Sequence, residues 1–246
     1  MSDSGQPPTR LTPELAAWLS AEIAAGGGRA LGSGYQASVR VYSGPLGDVV
    51  VKRTHPSRLL GALGRRLLKR ELNVYERLRG IPGIPRCMGR IDDESIVLEY
   101  VAGPSLREHE ALLTDRDAFF GRLLETLRAM HAAGVAHGDL KRKDNILVGP
   151  DERPYLIDFG IAVLRRRRSA LLNRLVFEPI RQLDLNAWVK LKYQRRFDAL
   201  STEDAALYRP LLLERIARAV RVPWQAITLR RPRQRWRAAR RREDRH

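Results

Sequence analysis

The apolar positions of this chain change period along its length, and those changes mark out its elements. Thr12-Pro13-Glu14 opens a helix, with a hydroxyl able to cap, proline at the first helical position and an acid near the positive end. Leu15, Trp18 and Leu19 give that helix an apolar face, and Gly26-Gly27-Gly28 ends it. Arg40-Val41-Tyr42 is strand-like, and Val49-Val50-Val51-Lys52 reads as a buried strand. From about Arg58 to Leu78, Leu60, Leu63, Leu67, Val74 and Leu78 recur at three- and four-residue steps, which predicts a helix with one buried face. Two more strands, Cys87 to Arg90 and Ser95 to Leu98, flank the turn Asp92-Asp93-Glu94. A second long helix, from about Asp115 to Ala133, directs Phe119, Phe120, Leu123, Leu124, Leu127 and Met130 inward and ends at Gly134. Ile146 to Val148 and Tyr155 to Ile157 enclose a turn-rich Gly149-Pro150-Asp151-Glu152-Arg153-Pro154, so the pair predicts a β-hairpin. Leu183 to Trp188 starts a further helix.

Polar residues break this pattern at three places. Lys52 ends an apolar strand, a costly position for an unpaired ammonium. Glu71 falls inside the helix stripe, four residues after Leu67 and three before Val74. It either meets a cation there or reaches solvent at the stripe's edge. The third break is the run His137 to Asn145, with His137, Asp139, Lys141, Asp144 and Asn145, more charge than a core helix or strand carries. Asp158 follows the second hairpin strand, so two acids and an amide gather at one end of the hairpin. A metal and a hydroxyl could meet there.

Composition narrows the setting. The 246 residues suit one or two domains with a substantial core. A single cysteine, Cys87, excludes an intramolecular disulfide framework and agrees with a reducing compartment. Met1 to Arg10 shows no signal-peptide pattern and no apolar run reaches about 18 residues, so a cytoplasmic protein is expected. The net charge of +17, nearly all from arginine, implies an anionic partner: nucleic acid, an acidic membrane face or a phosphorylated substrate. Arg165 to Arg168 forms one cluster, and residues 229–246 form another with Trp236 among the arginines. This tail reads as a solvated end or as a segment lying on anionic lipid at the inner face of the membrane. Nucleic acid is the less favoured occupant.

The ordered motifs from Leu31 to Trp188 resemble the protein-kinase superfamily. Leu31-Gly32-Ser33-Gly34-Tyr35-Gln36-Ala37-Ser38-Val39 is similar to its glycine-rich loop, with Ala37 where the third glycine would be. His137-Gly138-Asp139 through Asn145 resembles the catalytic loop, and Asp158-Phe159-Gly160 the metal-binding triplet. The resemblance implies an α/β (α+β) bilobal kinase-like fold with a reduced, mostly helical C-lobe. It implies ATP and Mg2+ as cofactors. Gly32 and Gly34 would cover the phosphates, Val39 would stand in the place of the loop's valine at the cofactor, Lys52 would bind the phosphates, and Glu71 would orient Lys52. Glu99 and Val101 would offer backbone groups to adenine, and Asp139 would be the catalytic base. Asn145 and Asp158 would hold magnesium, while His137 is an orienting residue with no catalytic part.

The pattern also departs from the family. The interval from Asp139 to Asn145 is one residue longer than usual, so counting forward places the amide position at Asp144 and counting back from Asp158 places it at Asn145. Asn145 is the preferred ligand. Gly138 replaces the usual arginine and there is no Ala-Pro-Glu, so activation-loop phosphorylation is not expected to be the switch. Such a compact second lobe resembles the small bacterial kinases that modify Kdo or heptose in lipopolysaccharide, and the RIO kinases. The expected units are an accessory helix at 1–28, an N-lobe at 29–103, a C-lobe at 104–228 and a basic tail at 229–246. The expected reaction is phosphoryl transfer from ATP to a hydroxyl, first of an envelope sugar, alternatively of a protein Ser/Thr. A non-catalytic anion- or ATP-binding scaffold is the third reading.

Overall fold

The computed structural model describes residues 10–33, 37–44, 47–54, 61–166 and 169–210. Gly34, Leu60, Arg167, Arg168 and the tail at 229–246 lie outside the described residues. The first helix, α1 (Pro13–Ala24), begins as its sequence predicts: Thr12 accepts the Leu15 N–H at 3.3 Å and Pro13 occupies the first turn. Five antiparallel strands follow its end: β1 (Arg29–Ser33), β2 (Ala37–Gly44), β3 (Gly47–Thr54), β4 (Cys87–Asp92) and β5 (Ser95–Glu99). Their order in the sheet is β1-β2-β3-β5-β4. The helix α2 (Gly61–Arg77) interrupts them between β3 and β4.

The two faces of this sheet do different jobs, because successive side chains of a strand alternate. Val49 and Val51 of β3, with Val97 of β5, pack against Leu15 and Leu19 of α1. The intervening Val50 and Lys52 therefore point the other way, toward α2 and the cleft. On α2, Leu68, Val74, Tyr75 and Leu78 are buried in the larger core. Glu71 shares that face at 3% exposure, so the cation partner, not solvent, accounts for it.

The second lobe begins with α3 (Leu106–His109), α4 (Arg116–Ala132) and the short strand β6 (Val135–Ala136). Asp115 caps α4 by accepting the Ala118 N–H at 2.8 Å, and all six predicted inward residues are buried. The hairpin is present as β7 (Ile146–Val148) and β8 (Pro154–Leu156), and β9 (Val163–Leu164) pairs with β6. After residue 169 the chain is helical through α5 (Ala170–Leu172), a wide π-turn (Asn173–Phe177) and α6 (Glu178–Lys192). The last helix is α7 (Thr202–Leu207).

This corrects the predicted start of the last long helix at Leu183. Pro179 sits in the first turn of α6, where its missing N–H costs little, and the residues before it keep helical dihedrals. The widened turn accommodates the proline, and the helix extends backward past it. Trp188 fixes α6 to α4: its ring N–H donates to the Phe120 carbonyl at 2.8 Å and the two rings meet edge to face. Among the described residues no helix is long and apolar enough to cross a membrane.

The crossing between lobes is tight. Gly103 has φ 144°, and a Cβ at that position would collide with the Val148 carbonyl at the end of β7. Gly103→Ala should therefore destabilise the fold by about 2 kcal/mol or more, through strain and overpacking together. Urea unfolding should show a lower midpoint; a midpoint equal to that of the unsubstituted chain would mean the crossing yields freely.

Candidate active site

The cleft between the lobes holds a cavity of about 910 Å3. Lys52, Glu71, Asp139, Asn145 and Asp158 all line it, from four separate elements and loops. Val39, Glu99 and Val101 line it as well. Gly32 lies on β1 opposite Val39.

Lys52 is the centre of this arrangement. Its ammonium donates to Glu71 at 2.8 Å and to Asp158 at 3.0 Å, joining β3, α2 and the loop after β8. Burial works against the charge on Lys52, but the Coulombic pull of Glu71 and Asp158 outweighs it and holds the ammonium pKa above its ordinary value. Burial also dominates at Glu71 and pushes its carboxyl up, against the pull of Lys52. Asp158 shows the opposite balance. Burial would raise it, yet Lys52 holds it below the usual carboxylate range. Its side chain stays about half exposed at 47%, so oxygen remains open to the cleft. Its backbone sits at φ 64°, a left-handed conformation that Asp tolerates better than most residues and that often marks functional sites.

The catalytic-loop segment is held from below by a group that the sequence pattern did not single out. Asp184, on α6 and 1% exposed, accepts the His137 N–H at 2.7 Å and the Gly138 N–H at 2.9 Å, and contacts the His131 ring at 3.1 Å. The signal was available in the sequence: an acid inside the apolar Leu183-Asp184-Leu185, the same anomaly that drew attention to Glu71. Gly138 has φ 83°, a conformation that disfavours a side chain, which gives a backbone reason for glycine beside Asp139. His137 is fully buried. Its Nδ1 accepts the Asp139 N–H at 3.3 Å, so Nε2 carries the proton and donates to the Ile157 carbonyl at 3.0 Å. The ring lies against Phe159, which in turn meets Tyr75 of α2 edge to face.

The two candidates for the amide position both line the cavity but differ in their partners. Asn145 is 4% exposed, and its amide nitrogen donates to the Asp139 carbonyl at 3.0 Å, which leaves the amide oxygen to accept a cation. Asp144 pairs with Arg107 at 2.7 Å, and that hydrogen bond holds its carboxyl below the usual range. Glu99 likewise spends its carboxylate on Arg86, through the guanidinium and the backbone N–H at 2.9 Å. Its backbone N–H also donates to the Arg86 carbonyl, at 2.8 Å.

The donor set suits a small hard cation. Asp158 carboxylate and Asn145 amide oxygens are the ligand types magnesium takes, and magnesium is commonly completed by phosphate and water instead of a protein cage. Among the described residues no three His, Cys, Asp or Glu side chains converge.

The protein kinase domain model matches residues 27–179. The chain belongs to that family. It is 32% identical to "Serine/threonine-protein kinase D" of Synechocystis, over 46% of this chain and 24% of that protein. It is 32% identical to "CBL-interacting protein kinase 25" of rice, Oryza sativa subsp. japonica, over 54% and 28%. It is 30% identical to "EKC/KEOPS complex subunit BUD32" of Encephalitozoon cuniculi, over 60% and 76%. The kinase-like chain thus spans about a quarter of the first two proteins and about three quarters of the third.

Asp184 supplies a direct test of how this site is held. Asp184→Ala leaves two buried N–H groups without their acceptor, at about 1–3 kcal/mol each. A loss of about 2–6 kcal/mol in denaturant unfolding is expected, with Asp184→Asn in between. A loss under about 0.5 kcal/mol for the alanine variant would show that the loop holds its shape without this carboxylate.

Proposed function

We propose that this chain transfers the γ-phosphoryl group of ATP to a hydroxyl, with magnesium as the cofactor. The observation that carries the reading is the meeting of Lys52, Asp139, Asn145 and Asp158 on one cavity beside the hinge residues Glu99 and Val101. Lys52, fixed by Glu71, binds phosphate. Asp158 and Asn145 hold the metal, which draws charge from the phosphates when bound. Asp139 orients the acceptor hydroxyl and takes its proton as the oxygen attacks phosphorus. Arg142, 3.8 Å from that carboxylate, stands at the same mouth. The glycines of the loop at 32–34 cover the phosphates. Residues 29–103 serve as the nucleotide lobe and 104–228 as the acceptor lobe, with α1 of the 1–28 unit packed outside the sheet.

The acceptor in the first reading is a sugar hydroxyl of a phosphorylated lipopolysaccharide core intermediate. The excess of arginine supports it, since a basic chain suits a phosphorylated, membrane-held substrate. The second reading is a protein Ser/Thr, which the printed name of the Synechocystis relative favours. Transfer of labelled phosphate from ATP to fractionated cell material separates them: label in a protease-resistant glycolipid fraction supports the sugar, and label recovered as phosphoserine or phosphothreonine replaces it.

Asp139→Asn should keep ATP affinity and lower transfer by about 100- to 10,000-fold, the usual contribution of a positioned base. Transfer within a few-fold of the unsubstituted chain would remove Asp139 from that role. Asn145→Ala should also reduce the magnesium dependence of transfer more than Asp144→Ala does. The reverse ranking would make Asp144 the ligand.

A further inference from the structure

The helical stretch from Ala170 to Phe177 turns an apolar face outward. Leu171, Leu172, Leu175 and Val176 are 67%, 42%, 61% and 45% exposed, and the helical period puts them on one broad side. This exposure is built in. Asn173 clamps the preceding loop, accepting the Arg166 N–H at 2.7 Å and donating to the Arg166 carbonyl at 2.6 Å. Phe177 anchors the opposite side in the core with the Arg165 guanidinium 5.9 Å over its ring. The stretch is fixed with its leucines facing solvent.

The charge around that face is of one sign. Residues 165–176 contain five arginines and no acid. Of these, Arg165, Arg166 and Arg174 are exposed among the described residues. Four aliphatic side chains on one side of a helix with arginines beside them form the pattern that lies in a membrane interface. We propose that this face docks the protein on an anionic bilayer surface. Charge complementarity selects that occupant. A second copy would bring another +17 chain, and the chain's own tail at 229–246 carries nine arginines against two acids. Either would be repelled. The face also lacks the Trp and Tyr anchors that concentrate binding energy at protein interfaces.

The placement ties docking to the cleft. Ile180, one turn beyond Val176, and the exposed Ile161 both approach Gly138, 3.4 and 3.7 Å from where its Cβ would be. The apolar strip therefore ends beside Asp139, so a bilayer seated on it would bring membrane-held acceptors to the mouth of the site. The docking itself does not depend on the phosphotransfer reading, because it needs neither ATP nor Asp139.

The test uses the full chain and sedimentation with two vesicle types, phosphatidylcholine alone and phosphatidylcholine with phosphatidylglycerol. Binding is expected only to the acidic vesicles. Leu171→Ser with Leu175→Ser should weaken it at least about tenfold, the scale of burying a leucine. Arg166→Gln and Arg174→Gln should each weaken it about fivefold at low salt, and high salt should erase the arginine effect while leaving the leucine effect. In a Cys87→Ala background, an environment-sensitive dye on Leu175→Cys should shift to the blue on acidic vesicles. ATP binding should be unchanged in all of these variants, which keeps a failure here distinct from a failure of phosphotransfer. Three results would overturn the proposal: acidic-vesicle binding unaffected by the leucine pair, a dye that stays water-like while the protein sediments, or vesicle-free self-association that the leucine pair abolishes.

Discussion

Everything in the cleft depends on where one ammonium sits. Lys52 reaches Glu71 and Asp158 at once, so a single charge joins the sheet, the helix α2 and the loop after β8. The strand period decides that it faces the cleft, since Val49 and Val51 are committed to α1. Glu71 is deeply buried and has this ammonium as its cation partner, while Asp158 keeps open oxygen beyond it. Removing one member of a buried pair commonly costs about 3–5 kcal/mol, because the partner is left charged and dry. The network thus ties the stability of the N-lobe to the readiness of the site. Its acid side has a definite sign. Asp158 has a depressed pKa, so its contribution to stability is present above the ordinary carboxylate range and fades as pH falls through the depressed value.

A second constraint supports the first from the other lobe. Asp184 and the His137 ring fix the backbone on either side of Gly138, which delivers Asp139 to the cavity on a rigid base. Phe159 links the two systems by packing against both His137 and Tyr75. The catalytic-loop carboxylate and the Lys52 network are therefore parts of one packed unit, not two neighbouring patches. Such support is what a positioned proton acceptor requires.

Much of this was legible in the residues. The strand at Val49 to Lys52, the buried Glu71, Val74 and Leu78 of the helix stripe and the inward face of α4 appear in the structure as read, because burial on one side leaves a periodic trace. On the preceding turn, by contrast, Leu68 is buried in the core and Leu67 is only partly covered. The polar anomalies Lys52 and Glu71 were found for the same reason. Asp184 carried the same mark and was passed over, since its partners are backbone N–H groups with no side-chain signature. The start of α6 was misplaced because Pro179 reads as a break, whereas the structure absorbs it in a wide turn. Nor could periodicity show that Asp144 pairs with Arg107 while Asn145 donates to the Asp139 carbonyl, as two adjacent polar residues look alike along a chain. The leucines before α6 were assigned no element from the sequence; the folded chain shows them facing solvent.

The central claim is that the cleft is a metal–nucleotide site in which Asp158 carries the metal. Calorimetric titration of ATP with and without magnesium, on the unsubstituted chain and on Asp158→Ala, tests it most directly. The account predicts that magnesium tightens ATP binding at least about tenfold, or roughly 1.4 kcal/mol, in the unsubstituted chain and that Asp158→Ala loses that gain. Equal ATP affinity with and without magnesium in the unsubstituted chain, or an intact magnesium gain in Asp158→Ala, would contradict it.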